Sequence, residues 1–212
     1  MKVYCAGPLF SEGERREMGD IASALESAGY DTFLPQRDGI HIAAVCSDIA
    51  AMTGAPAAEV TQFLERAVFE LDVHQVASGC DALVVNLNGR VPDEGAVVEM
   101  AIAWVHQKPV VAYRDGSRTF LEGAANPLVG GLCDFRLVSS ITDIPKALQQ
   151  AAMAPRRNPA SAGSPAMADL LCERIPKCNG DKLAVLADVF RACWLEDPRR
   201  SKQRGRDEEG VS

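Results

Sequence analysis

No segment of the 212-residue chain approaches the roughly 20 consecutive apolar residues of a membrane-crossing helix, so no membrane partner is expected. Basic charge is scarce as well. With 22 Lys and Arg against 29 Asp and Glu, the formal net charge is -7, which leaves no electrostatic footprint for a nucleic-acid backbone. There is no GxGxxG dinucleotide loop, no GxxxxGK phosphate loop and no GxSxG nucleophile elbow, so hydride transfer, ATP chemistry and serine hydrolysis lack their simplest signatures. The seven cysteines are odd in number, irregular in spacing and free of any CxxC pair, which points to reduced thiols in a cytoplasmic protein. The three histidines, His41, His74 and His106, lie far apart, and neither a metal nor a cofactor is expected. The opening Met1-Lys2-Val3-Tyr4-Cys5 has none of the basic, long apolar and cleavable parts of a signal peptide.

What is present is a globular composition in alternating apolar segments. Val3 to Ala6 reads as a buried strand ended by Gly7-Pro8, and Glu14 to Ala28 as a helix with apolar residues at Met18, Ile21, Ala22, Leu25 and Ala28. Thr32 to Leu34 gives a second strand, Ile40 to Met52 a partly helical segment, and Ala57 to Ala77 a longer helix. Ala82 to Leu87 is read as a continuous apolar run, of the kind buried on both faces of a parallel sheet. A helix from Glu94 to His106 separates it from the strands Val110 to Tyr113 and Phe135 to Val138, and a last helix covers Ile141 to Met153. Strands alternating with helices predict an α/β fold: a doubly wound, mainly parallel five-stranded sheet of flavodoxin or Rossmann type over residues 1–153. The Pro-, Ala- and Ser-rich stretch 154–165 reads as a linker, residues 166–196 as a small helical appendage with apolar patches Met167 to Cys172 and Leu183 to Trp194, and 197–212 as a disordered tail.

Chemistry concentrates at three places. From Ala96 to Val105 every residue is apolar except Glu99, so that helix has no polar face and Glu99 cannot avoid the interior. A buried ionised carboxylate is costly, which leaves two readings: an acid paired with a structural partner, or an acid kept for chemistry. Asp72, flanked at four residues by Val68 and Val76, lies on the apolar stripe of its own helix and raises the same choice. The loop from Asn88 to Gly95 joins the central strand to the Glu99 helix at the carboxyl edge of the sheet, where ligands of such folds bind. Its acids, Asp93 and Glu94, have the simpler alternative of capping that helix.

Four pieces in order, Tyr4-Cys5-Ala6-Gly7-Pro8-Leu9-Phe10, Leu34-Pro35-Gln36-Arg37-Asp38-Gly39, Asp72, and Pro92-Asp93-Glu94-Gly95 with Glu99, resemble the nucleoside 2-deoxyribosyltransferase family over residues 1–150. The resemblance implies an enzyme of nucleotide salvage that moves 2-deoxyribose between nucleobases through a covalent ester on Glu99, with deoxynucleosides and free bases as its small-molecule partners. It implies that Tyr4 orients that carboxylate and that Asp72 contacts the base and helps move its proton. It also counts Gly7 among the substrate-binding residues and places Phe10 on the base, Gln36 and Asp38 at the base edges, and Asp93 on the sugar 5'-hydroxyl. Two acids facing a 5'-phosphate repel it, although Arg90 in the same loop is a counter-charge. A homo-oligomer with sites near subunit interfaces is implied too, with Asn126 on the loop that completes a neighbour's sugar pocket. Two rivals stay open: an N-glycosidase acting on nucleosides or nucleoside 5'-monophosphates, and a non-catalytic nucleoside-binding module.

Overall fold

The computed structural model describes residues 1–89, 91–116, 126–154, 165–177, 180 and 182–195. It forms two compact units, Met1–Arg156 and Arg157–Ser212. The first is built on an all-parallel sheet of β1 (Lys2–Ala6), β2 (Asp31–Phe33), β3 (Ala82–Asn86), β4 (Val110–Tyr113) and β5 (Leu137–Val138), in the order β2-β1-β3-β4-β5. The doubly wound five-stranded fold expected from the sequence is therefore present.

Strand alternation assigns the two faces. Val3, Cys5, Val84, Val111 and Tyr113 pack with α1 (Glu12–Ser27) and α7 (Ile144–Met153), whereas Tyr4, Ala6, Leu83, Val85 and Ala112 pack with α5 (Glu94–Val105). Helix α1 starts at a capping box: Ser11 Oγ accepts from the Glu14 N–H at 3.2 Å, and the Glu14 carboxylate accepts from the Ser11 N–H at 2.7 Å. Its stripe Met18, Ile21, Ala22 and Leu25 is buried, and Gly29 at φ 86° turns the chain into β2. Gly7 is needed for a different reason. A Cβ there would stand 2.5 Å from Met18 Sδ and 2.9 Å from Asn86 Cβ, so only glycine lets the chain leaving β1 pass the end of β3.

Between β2 and β3 lie a short turn of helix, α2 (Pro35–Asp38), then α3 (Ile42–Thr53) and α4 (Ala57–His74), which pack against each other. The long helix predicted to Ala77 ends as α4 at His74 and continues as a wide π turn, Gln75–Gly79. Two other expectations change. The run Ala82 to Leu87 is not wholly apolar, because Asn86 sits in it and is fully buried. Asn126, expected on a loop, opens a helix, α6 (Pro127–Leu132), and its Oδ1 accepts from the Leu128 N–H at 2.9 Å.

In the second unit, α8 (Pro165–Arg174) and α9 (Lys182–Phe190) pack against each other, so both apolar patches of the appendage fall in helical segments. The linker residues 155–164 and the tail 197–212 lie outside the described residues, as does Arg90. Among the described residues, no helix is long and apolar enough to cross a membrane.

Candidate active site

The sheet order reverses direction at β1, and its carboxyl edge between β1 and β3 is where such folds leave a crevice. Tyr4, with Ala6, lies on the face of β1 toward α5, and its side chain is fully buried. The ring stacks on Phe33 of β2, with centroids 5.4 Å apart and planes inclined by 19°. Such a pair contributes about 0.5–1.5 kcal/mol beyond its buried area, and it fixes where the phenol points. It points at α5. The Tyr4 hydroxyl donates to Glu99 Oε1 at 2.7 Å.

Glu99 is half-buried, one turn into α5 from the loop, with Ala96, Met100 and Ala103 of the same helix locked in the core. Burial pushes its carboxyl up to about 7, the charges of Asp72 and Asp93 add to the rise, and the Tyr4 hydrogen bond opposes it. Asp72, also half-buried, comes from the last turn of α4 and interacts with the same hydroxyl. Its carboxyl is raised by burial, again against the pull of Tyr4. Burial raises Tyr4 itself far above the usual phenol range, and the neighbouring Glu99 and Asp72 reinforce this, so Tyr4 remains a proton donor. One hydroxyl proton is thus set between two carboxyls that cannot both ionise cheaply.

Two cavities meet at Asp72. One, of about 340 Å³, is lined by Glu99, Asp72, Gly95 and Glu94 and walled by Phe69, Val73, Val98 and Ile102. The other, of about 390 Å³, is more polar and is lined by Asp72, Arg15, Gln36 and His41 together with Leu9, Pro35, Ile40 and Val68. Gln36 donates its amide to the Arg15 carbonyl at 2.7 Å. Its Oε1 is buried without a hydrogen-bond partner among the described residues.

The residues singled out in the sequence fall into two groups. Glu99, Tyr4, Asp72 and Gln36 line or adjoin the cavities, and Gly7 sets the close approach of β1 to β3. The others stand differently. Asp93 caps α5, its Oδ2 accepting from the Ala96 N–H at 2.8 Å, while remaining near enough to Glu99 to raise it. Asp38 accepts from the Leu34 N–H and from Arg37, at 2.8 and 2.9 Å, and does not line the polar cavity. Phe10 is 83% exposed and touches neither cavity, and Asn126 is an exposed helix cap. Sequence reasoning missed Arg15 and His41, whose exposed helical and loop positions carry no signal of their own. It also missed Glu17, whose carboxylate accepts from Asn86 and Asn88. A polar residue inside the β3 run was the available clue.

With this geometry in view, the sequence profile of the nucleoside 2-deoxyribosyltransferase family matches residues 3–169. The chain belongs to that family. Among solved structures it is similar to a conserved protein of Enterococcus faecalis V583, with 25% identity, 71% of this chain and 98% of that chain covered, and a TM-score of 0.54. It is also similar to a 2-deoxyribosyltransferase of the psychrotolerant bacterium Bacillus psychrosaccharolyticus (17% identity, 68% and 90% covered, TM-score 0.48). A third is a CMP N-glycosidase of Clostridium botulinum (13% identity, 70% and 99% covered, TM-score 0.40). No curated protein matches the chain.

Proposed function

We propose that the protein moves 2-deoxyribose from one nucleobase to another, with Glu99 as the nucleophile. The observation that carries this reading is the Tyr4–Glu99 hydrogen bond of 2.7 Å at a cavity that Asp72 also lines. In the first half-reaction a Glu99 oxygen bonds to the anomeric carbon as the bond to the base nitrogen breaks, and the electron pair leaves with the base. Asp72, whose carboxyl is raised by burial, supplies the proton that the departing base takes up. An incoming base then attacks the same carbon, returns its proton to Asp72 and frees the Glu99 carboxylate, so one difficult displacement is divided into two easier ones.

The two cavities suit the two halves of a nucleoside. The polar one offers Gln36 Oε1 to an N–H of the base and Arg15 to an acceptor, and the apolar one leaves the sugar next to Glu99. Asp93 and Glu94 at the start of α5 put two negative charges where a 5'-phosphate would have to lie, which favours unphosphorylated nucleosides. Incubation with thymidine and adenine tests the reading by chromatography. Thymine and deoxyadenosine appearing together are expected. Thymine with free deoxyribose would make the protein an N-glycosidase, and no turnover would leave a binding module.

A further inference from the structure

Away from the Tyr4–Glu99 pair, on the opposite face of the sheet, one carboxylate holds together several segments that the proposed mechanism does not use. Glu17, half-buried on α1, accepts from Asn86 Nδ2 and from Asn88 Nδ2, each at 2.8 Å, and from the Tyr113 hydroxyl at 3.3 Å. The two asparagines carry the network further. Asn86 Oδ1 accepts from the Asn88 N–H at 2.9 Å, and Asn88 Oδ1 accepts from the Asp115 N–H at 3.0 Å. One side chain of α1 therefore fixes the end of β3, the first residues of the loop after it, and the end of β4. That loop runs on to Asp93, which opens the helix carrying Glu99. The same Asn86 sets the 2.9 Å approach that forbids a side chain at Gly7, so the exit of β1 is held against it as well.

We infer that Glu17 is a positioning residue for the transfer reaction, setting through Asn86 and Asn88 the loop that places Asp93 beside the sugar; this rests on the proposed function of the Glu99 site. A carboxylate suits the task because it accepts on both oxygens and offers no donor to compete with the two amide groups. A glutamine would satisfy one asparagine and present an amide to the other. Glu99 has its own anchors in Tyr4 and the α5 core residues, so loosening the loop should weaken the hold on substrate more than the attack by the nucleophile.

The test compares Glu17→Gln with Tyr113→Phe, which deletes the longest of the three bonds to Glu17 and the hydroxyl's interaction with Asn88, and with Glu17→Ala where that variant folds. For Glu17→Gln the expected result is a fall in kcat/KM for deoxynucleoside of about 10- to 100-fold, the scale of loss caused by a displacement of an ångström. The change should lie mainly in KM rather than kcat, with a smaller effect in Tyr113→Phe. Amide hydrogen exchange at Asn88 and Asp115 should quicken in the same order. Kinetics within twofold of wild type, or amide exchange unchanged at those two positions, would overturn the inference. Nucleoside affinity measured by calorimetry in the Glu99→Ala background separates it from the proposed function. A wild type that never exchanges bases sinks that function, while affinity and amide exchange still decide whether Glu17 holds this loop for a ligand.

Discussion

Tyr4 and Glu99, 95 residues apart in the chain, are joined by a hydrogen bond of 2.7 Å in which the phenol is the donor. The bond stabilises the ionised carboxylate, the form able to attack a sugar carbon. Tyr4→Phe removes it while keeping the ring stacked on Phe33. A hydrogen bond to a charged group is worth about 1.5–3 kcal/mol, so kcat/KM should fall by about 10- to 100-fold. Because Tyr4 holds the Glu99 carboxyl down against burial, its loss should also move the acid limb of the pH–rate profile to higher pH. An acid limb that stays in place would show that this hydroxyl does not govern the nucleophile.

Stability should depend on pH through the same residue. The Glu99 carboxyl is raised from 4.5 to about 7, so between these values the folded protein keeps a proton that the unfolded chain releases. Its contribution is fully present below pH 4.5 and is lost as the pH rises through about 7. Glu99→Gln, permanently neutral, should therefore gain in Tm relative to wild type as the pH goes from 5 to 8. Thermal melts of the two proteins across that range measure this, and a difference in Tm that does not vary with pH would count against the raised carboxyl.

The fold and its chemical centre were legible for the same reason. The alternation of apolar runs with helical periods gave the parallel sheet, and a lone acid in an apolar helix, Glu99, had nowhere to go but toward the interior. Asp72 was found because Val68 and Val76 put it on the apolar stripe of its helix, whereas Tyr4 was singled out only by the resemblance to the family. Asp38 was harder. It sits where the Leu34 N–H needs an acceptor, and that local bond takes up an oxygen that the sequence leaves free for a ligand, whereas the Asp93 cap on α5 was one of the two roles its position offered. The Glu17 network was illegible because its members come from three segments distant in sequence, and only the folded sheet brings Glu17, Asn88 and Tyr113 together.

Exposed apolar side chains on and beside α6 lead to a prediction about assembly. Leu128 and Phe135 are 82% and 70% exposed, and α6 packs on α5, the helix of Glu99. Large apolar groups facing water this close to a site point to coverage by another copy of the chain. Light scattering should show an oligomer, and Leu128→Asp with Phe135→Asp should reduce its mass. A monomer with full activity would contradict this.

The central claim is that deoxyribose becomes covalently attached to Glu99. Mass spectrometry of protein quenched during turnover with a deoxynucleoside tests it directly. The account predicts a deoxyribosyl adduct on the peptide containing Glu99 in the wild type, and none in Glu99→Ala, which should still fold. An adduct on another residue, or transfer by Glu99→Ala at a rate near that of the wild type, would contradict it.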